Sequence, residues 1–382
     1  MDIGKHSFLV GGTEFVIDKR YVIEHPVALG KGAYGTVCAA VDTVTGEEVA
    51  IKRIAEVFGH PIDAKRVLRE LKLLRHLSNH ENVIRILDIM TIPPEEAETF
   101  TTIYMVMELM DTDLHQIIKS GQELNEEHFT HFLYQVFRGL KYIHSAGVIH
   151  RDIKPSNLVL NADCDMKICD LGLARPNVID MNQAGFTEYV ATRWYRAPEI
   201  IYDSGQYTKA VDIWAVGCIF AELILRRPLL PGRDQVHQLS LILTFLGTPS
   251  PEEIDEIRND NARAYVRSHG VRPRKDFTVE FPGVSPVAID LLEKLLATQP
   301  GDRLTAEQAL EHPYFADLHE PTNEPAAPPF LDFDFESEPV DINTIRAHIY
   351  NEMLAFHPEL ATAGQASTNA DDADDLAAMN IE

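Results

Sequence analysis

Cysteine is scarce: only Cys38, Cys164, Cys169 and Cys218 occur among 382 residues, and no two of them form a C-x-x-C pair. Their spacing argues against a zinc ribbon or a disulfide-stapled scaffold and points to a reducing compartment. Long apolar runs are missing as well. The longest, Ile213 to Leu225, is broken by Glu222 and too short to span a bilayer, so it reads as a buried helix. Basic residues are in deficit. Lys and Arg number 34 against 59 Asp and Glu, a formal charge of −25, which argues against general nucleic-acid binding and for basic partners. The opening M-D-I-G-K-H has no apolar signal core and no glycine placed for myristoylation, and no prenylation cysteine stands at the end, so no membrane attachment is expected. His76 and His80 fall at helical spacing, but no cysteine or carboxylate cluster completes a metal shell around them.

What is present suffices for a large core. The 45% hydrophobic content and the length suggest two or more lobes or domains. The chemistry concentrates between Val148 and Arg175. There His150-Arg151-Asp152 is followed at fixed offsets by Lys154, Asn157 and Asp170, a spacing that suits phosphoryl transfer. Asp152 can take the proton of an attacking hydroxyl, and Lys154 can sit against the moving phosphoryl group. Asn157 and Asp170 offer hard oxygen atoms to Mg²⁺.

From Tyr21 to Ile54, apolar and β-branched residues alternate between turns, as in an antiparallel sheet. One turn, Gly30-Lys31-Gly32-Ala33-Tyr34-Gly35-Thr36-Val37, has the G-x-G-x-x-G-x-V pattern, whose glycines let backbone amides approach phosphate oxygens. Val49-Ala50-Ile51-Lys52 follows as a strand, whereas a dinucleotide-binding fold would begin a helix at once. Lys52 is expected to hold the α- and β-phosphates, and Glu70, on a helix of roughly Ile62 to Leu77, is its expected partner. Ile103 to Met110 reads as a buried strand leading into a connector. Met107 is expected to border an adenine pocket with the Glu108 and Met110 backbones at the adenine edge, and Asp113 is placed for a ribose hydroxyl.

After Asn125 a core helix runs to Gly147. Thr187-Glu188-Tyr189, lying between Asp170 and Ala197-Pro198-Glu199, is a phosphosite candidate. Asp212 opens a buried helix and is placed to bond the catalytic-loop backbone, and Arg303 is an expected partner of Glu199. Residues 320–339 read as an extended strap, and Ile342, Ile345, Ile349, Met353 and Phe356 mark an amphipathic helix that must dock. The remainder has few large apolar residues and reads as disordered.

On these motifs the chain resembles the eukaryotic protein kinases from about Tyr21 to Phe315. More narrowly it resembles the mitogen-activated protein kinases, through T-E-Y, T-R-W-Y-R-A-P-E, the insert before Asp276, and the strap and terminal helix. T-E-Y looks like the extracellular-signal-regulated branch, and the opening F-x-V-x-x-R-Y with G-K-G-A-Y-G-T-V-C is similar to fungal cell-wall-integrity members. The resemblance implies an α+β, two-lobed fold with ATP between the lobes, a small antiparallel sheet lobe carrying one main helix, and a larger, mostly helical lobe. The implied limits are an extension at 1–20 and a kinase domain at 21–315, divided into a sheet lobe (about 21–107), a hinge (108–111) and a helical lobe (112–315). A strap and docking helix (316–360) and an acidic tail (361–382) follow.

The family implies transfer of the γ-phosphate of ATP, with Mg²⁺, to serine or threonine followed by proline. Thr192 would bond Asp152 and Lys154, and Val159 would floor the adenine pocket beside Gly30, Gly32, Gly35, Val37 and Ala50. Phospho-Thr187 would gather Arg66, Arg69, Arg151 and Arg175, and phospho-Tyr189 would pair with Arg193 and Arg196. Two departures stand out. Asp170-Leu171-Gly172 replaces the usual D-F-G, and in the strap Glu320 and Asn323 replace two docking aspartates beside Glu324. Expected partners are an upstream dual-specificity kinase, phosphatases, and protein substrates with Ser/Thr-Pro sites and basic docking peptides. The chain is expected to be a monomer in cytoplasm and nucleus. The competing readings are a catalytically silent nucleotide-binding scaffold, which retention of Lys52, Asp152, Asn157 and Asp170 disfavours, and a cyclin-dependent-type kinase, which the T-E-Y lip disfavours.

Overall fold

The structure is a computed structural model and describes residues 4–32, 35–91, 97–176, 193–202, 208–337 and 341–360. The chain divides into two compact units. One contains residues 1–75, 85–109 and 338–382, and the other residues 76–84 and 110–337.

The first unit is built on antiparallel strands. A hairpin, β1 (Lys5–Val10) and β2 (Thr13–Asp18), precedes a six-stranded sheet of β3 (Tyr21–Val22), β4 (Ala28–Gly32), β5 (Gly35–Asp42), β6 (Glu48–Ile54), β7 (Ile86–Thr91) and β8 (Ile103–Glu108). The path runs β3-β5-β6-β8-β7, with β4 also paired to β5. Alternation decides which face is covered: in β5, Thr36, Cys38, Ala40 and Asp42 are buried, and the residues between them are not. The hairpin contributes Val10, Phe15 and Ile17 to the core cluster of Tyr21, Ile51, Tyr104 and Val106. The Tyr104 hydroxyl accepts the Val16 amide at 2.9 Å, which fixes the hairpin to the sheet.

Helix α1 (Pro61–Leu77) starts on a proline, whose missing N–H costs nothing in the first turn. It buries Val67, Leu71 and Leu74. The helix Ile342–Leu354 belongs to the same unit and buries Ile345, Ile349 and Met353, one stripe at four-residue spacing. Two polar contacts here were not legible in the sequence. Glu352, buried among the apolar residues, lies 3.2 Å from Lys72 and 3.0 Å from Arg75 of α1. Beyond the helix, His357 Nε2–H donates to Asp88 Oδ1 at 2.7 Å. The other Asp88 oxygen accepts the Tyr21 hydroxyl at 2.7 Å.

The second unit is mostly helical. A three-stranded sheet of β9 (Thr112–Asp113), β11 (Leu158–Leu160) and β12 (Met166–Ile168) and a two-stranded pair of β10 (Val148–Ile149) with β13 (Arg175–Pro176) lie among helices. These include α2 (Leu114–Lys119), α3 (Glu126–Ser145), α4 (Pro198–Tyr202), α5 (Ala210–Leu225) and α6 (Gln235–Leu246). Asn125 caps α3 in a reciprocal box with His128. Gly147, at φ 77°, supplies the left-handed turn that ends the segment. Helix α5 is buried nearly all round. Among the described residues no helix is long and apolar enough to cross a membrane.

The strap lies along α3 in this second unit: Ala327 N–H donates to Ser145 Oγ at 2.8 Å, and Phe330 N–H to the Ala146 carbonyl at 2.9 Å.

His357 generates a pH prediction. Its bond to Asp88 raises its pKa from 6.5 to about 9. The contribution is therefore complete below the ordinary histidine value and lost as pH rises through about 9. Thermal melts from about pH 6 to about pH 10 should show the parent losing more stability on the alkaline side than His357→Gln. Parallel curves for the two proteins would refute the pairing.

Candidate active site

In the helical unit the polar residues of the 148–175 stretch form one bonded cluster. The chain leaves β10, passes His150 to Lys154, makes a tight turn at Pro155–Asn157 and enters β11. Asp152 is buried. Lys154 Nζ donates to its Oδ2 at 2.5 Å, and Asn157 Nδ2 donates to the same oxygen at 3.1 Å and to the Asp152 carbonyl at 2.9 Å. With its N–H₂ turned to Asp152, the Asn157 amide keeps its carbonyl oxygen on the other side. Asp170 is tied in through its neighbour. Cys169 N–H donates to the Asn157 carbonyl at 3.0 Å, and the Cys169 carbonyl accepts His150 Nε2–H at 3.0 Å. That bond fixes the tautomer, leaving His150 Nδ1 to accept the Asp152 amide at 3.3 Å.

The loop is bent against two unfavourable conformations. Arg151 at φ 71° and Asp170 at φ 64° are left-handed without being glycine, which costs on the order of 1 kcal/mol each. Asp212 holds the first bend. Its buried carboxylate accepts the His150 amide at 2.9 Å, the Arg151 amide at 2.8 Å and His144 Nε2–H at 2.8 Å. Burial alone would raise its pKa; the bonds from His144 and Arg151 and the nearby His150 outweigh it and keep the group below the ordinary aspartate value. The bond to the loop backbone was legible in the sequence; the supporting His144 was not, because a histidine on the last turn of an apolar helix gives no signal of its own.

The arginines expected to read phosphates fall in three places. Arg151 and Arg175 both turn a guanidinium nitrogen to the Leu173 carbonyl, at 3.2 and 3.4 Å. Arg193 donates to the Arg233 carbonyl at 2.9 Å, and Arg196 lines a cavity of about 10 Å³, room for roughly one water, together with Asp152. Arg66 and Arg69 lie on α1 in the sheet unit. Thr187, Tyr189 and Thr192 lie outside the described residues. Leu171 is fully buried. Val159 pairs with Asp113, whose carboxylate caps α2 by accepting the Gln116 amide at 3.0 Å, and Met110 precedes them in the same unit.

One expectation is corrected. Glu324 does not present its carboxylate to solvent for basic peptides: it is buried and bound to Tyr134 Oη at 3.0 Å, Lys141 Nζ at 3.3 Å and His319 Nδ1 at 2.8 Å. Those bonds offset the burial that would raise its pKa and hold it below the usual glutamate value. Glu320 and Asn323 are exposed.

In the sheet unit Lys52 Nζ donates to Glu70 Oε1 at 2.6 Å, and both side chains are largely buried. Helix α1 therefore sets where the lysine points. The glycines of the β4–β5 turn divide into two kinds. A side chain at Gly35, at φ 129°, would overlap the Arg53 carbonyl, whereas at Gly30 and Gly32 it would meet open space among the described residues. The fold requires the first, and among the described residues nothing requires the other two. Open room beside strand amides is what a phosphate chain needs. Ala50 pairs with Met107 across β6 and β8, Val37 pairs with Lys52, and Glu108 Oε1 accepts the Arg85 amide at 2.7 Å.

A lysine–glutamate pair under a glycine hairpin on a sheet, and an aspartate–lysine–asparagine loop in a helical unit, together define a protein kinase fold. Comparison with known proteins agrees. Residues 23–315 match the family model described as protein kinase domain. The chain is 53% identical over 354 residues to extracellular signal-regulated kinase 1 of Dictyostelium discoideum, covering 92% of this chain and 66% of that protein. It is 53% identical to mitogen-activated protein kinase 1 of Oryza sativa subsp. japonica and 55% identical to mitogen-activated protein kinase 6 of Arabidopsis thaliana, each over 92% of this chain and 87% of the relative. The chain belongs to the mitogen-activated protein kinases, a family of serine/threonine protein kinases whose phosphoryl donor is ATP.

Asp212 carries the prediction here. Asp212→Asn puts N–H₂ where an acceptor is needed and leaves a buried donor unpaired, so urea unfolding should show a loss of about 1–3 kcal/mol. An unchanged midpoint and slope would mean that the bend at Arg151 does not depend on this carboxylate.

Proposed function

We propose that this chain transfers the γ-phosphate of ATP to serine or threonine followed by proline, and that phosphorylation of Thr187 and Tyr189 switches it on. The observation that carries the reading is the bonded set of Asp152, Lys154 and Asn157. A carboxylate held between a cation and an amide is fixed in direction, as a general base must be. In the reaction Asp152 Oδ2 takes the proton of the substrate hydroxyl as its oxygen bonds to the γ-phosphorus. The bond to the bridging β,γ-oxygen breaks, and ADP leaves with that electron pair. Lys154 moves from Asp152 to the phosphoryl oxygens as negative charge gathers there. Lys52, held by Glu70, steadies the α- and β-phosphates, and the open space at Gly30 and Gly32 lets strand amides approach them. Met107, Glu108, Met110, Asp113, Ala50, Val37 and Val159 would bind the nucleoside. The Asn157 amide oxygen and the Asp170 carboxylate are hard donors suited to Mg²⁺, which when bound neutralises phosphate charge.

The proposed switch acts through arginines. Arg151 and Arg175, already converging on the Leu173 carbonyl, could exchange that neutral acceptor for the phosphate of Thr187, a charge-assisted and stronger partner. Arg66 and Arg69 would join them, Arg193 and Arg196 would meet phospho-Tyr189, and Thr192 would bond Asp152 and Lys154. Phosphorylation by a dual-specificity kinase and reversal by phosphatases, action as a monomer in cytoplasm and nucleus, and docking of basic peptides through exposed Glu320 complete the reading. With Asn323 uncharged and Glu324 buried, that docking surface is weaker than three free carboxylates would make it.

Two experiments test this. Asp152→Asn should lower peptide phosphorylation by about a hundredfold or more while ATP affinity, measured by calorimetry, is kept; retained turnover would exclude Asp152 as base. After treatment with a dual-specificity activator, a Ser-Pro peptide should be phosphorylated and its Ser-Ala counterpart should not. Thr187→Ala and Tyr189→Phe should each remove most of that gain, and full activity in the unphosphorylated double variant would refute the switch.

A further inference from the structure

We propose that the helical unit carries a second ligand site, for a small apolar carboxylate, in a cavity of about 160 Å³ between the end of α5, helix α6 and residues 275–281. None of its lining residues belongs to the Asp152 cluster.

Size sets the first limit. The walls include Leu225, Leu229, Leu241, Phe245 and Phe281. An enclosed apolar cavity of about 150 Å³ accepts benzene; this one has a comparable volume, is open to solvent on one side and mixes apolar with polar walls, so it has room for an aromatic ring or a short branched chain. The three leucines are only partly buried, so an apolar occupant would shield surface that water now covers at a cost.

Charge sets the second. Arg227, Lys275 and Glu280 line the same cavity, two cations against one carboxylate. Lys275 and Glu280 satisfy each other at 2.9 Å, and Lys275 also lies 5.8 Å from the centre of the Phe245 ring. Arg227 is exposed and forms no hydrogen bond or ion pair among the described residues. The open charge is thus one guanidinium, whose planar fork matches a carboxylate through two parallel bonds. A cationic ligand is opposed by the net sign. A phosphate dianion exceeds the single open charge and would be repelled by Glu280. A monoanion with a ring-sized apolar body matches both limits. On a chain of net charge −25, an unpaired arginine beside a cavity with leucine and phenylalanine walls also runs against the prevailing surface.

The test uses the full chain with its nucleotide site saturated by a non-hydrolysable ATP analogue, so that the probe reports only elsewhere. Phenylacetate is titrated by saturation-transfer NMR against phenylacetamide, its neutral isostere. Phenylacetate is expected to bind about tenfold more tightly than the amide, and Arg227→Gln to remove that preference while amide binding is unchanged. Leu229→Trp and Leu241→Trp, which fill the cavity, should abolish both. Equal affinity for the two probes, an Arg227→Gln protein that still prefers the acid, or no phenylacetate binding up to about 10 mM would each overturn the proposal. So would binding that survives in a folded tryptophan variant. Arg227 is a surface residue, so its variant folds whatever becomes of the core substitutions, and the charge test stands by itself.

Discussion

A carboxylate removed from water is tolerable only when its lone pairs are met, and the reactive loop of this kinase is arranged around one such group. Asp212 is fully buried and accepts two consecutive backbone amides and an imidazole N–H. Two adjacent amides can point at one carboxylate only if the chain turns sharply between them, which is why Arg151 occupies a left-handed conformation that its side chain disfavours. Three charge-assisted bonds, each stronger than a neutral one, outweigh that strain. The bend in turn aims Asp152 at Lys154 and Asn157. His150 continues the chain of dependence by joining the Asp152 amide to the Cys169 carbonyl, so Asp152 and the residue before Asp170 are set by one ring.

The sheet unit meets the same constraint by pairing charges between helices and strands. Glu70 and Glu352 are both buried glutamates, and each is matched to cations: Glu70 to Lys52, Glu352 to Lys72 and Arg75. Helix α1 carries partners in both pairs, so the terminal helix and the sheet hold it from two sides. Such pairs add little to stability over well-packed apolar residues, because desolvation offsets much of the attraction. What they do supply is a unique register. A helix held by apolar stripes alone could rotate or slide by a fraction of a turn at small cost, and Glu70 would then leave Lys52.

Local spacing made the loop legible in the sequence, since Asp152, Lys154 and Asn157 lie within five positions and their contacts are nearly forced by the turn between them. The apolar stripes of α1, α3 and the terminal helix were legible for the same reason. Arg303 and Glu199 were also identified, and the structure shows two bonds between them at 2.6 and 2.8 Å, with Arg303 lying over the Trp214 ring. Less was visible where a polar residue's partner is distant and either sign of environment is compatible with its neighbours. Glu352 follows Tyr350 and Asn351 as any exposed glutamate might. Glu324 sits in an acidic, proline-rich strap, where a solvated charge is the natural expectation; only the fold brings Tyr134 and Lys141 to it beside its near neighbour His319. His357 and Asp88 are 269 positions apart, and nothing periodic connects them.

The glycine hairpin shows how one pattern can merge two demands. Gly30, Gly32 and Gly35 read alike in the sequence, as conformational freedom beside a phosphate site. Gly35 is fixed by the fold itself, since the Arg53 carbonyl occupies the space a side chain would need and the backbone angle is one that L-residues avoid. At Gly30 and Gly32 neither the angle nor the space forbids a methyl group. Alanine at Gly35 would therefore act on strand pairing whether or not nucleotide is present. Alanine at Gly30 or Gly32 should be silent in the free protein and matter only when phosphate oxygens approach the backbone. The separation of Gly35 from Gly30 and Gly32 within a single motif becomes visible only once a Cβ is placed at each position.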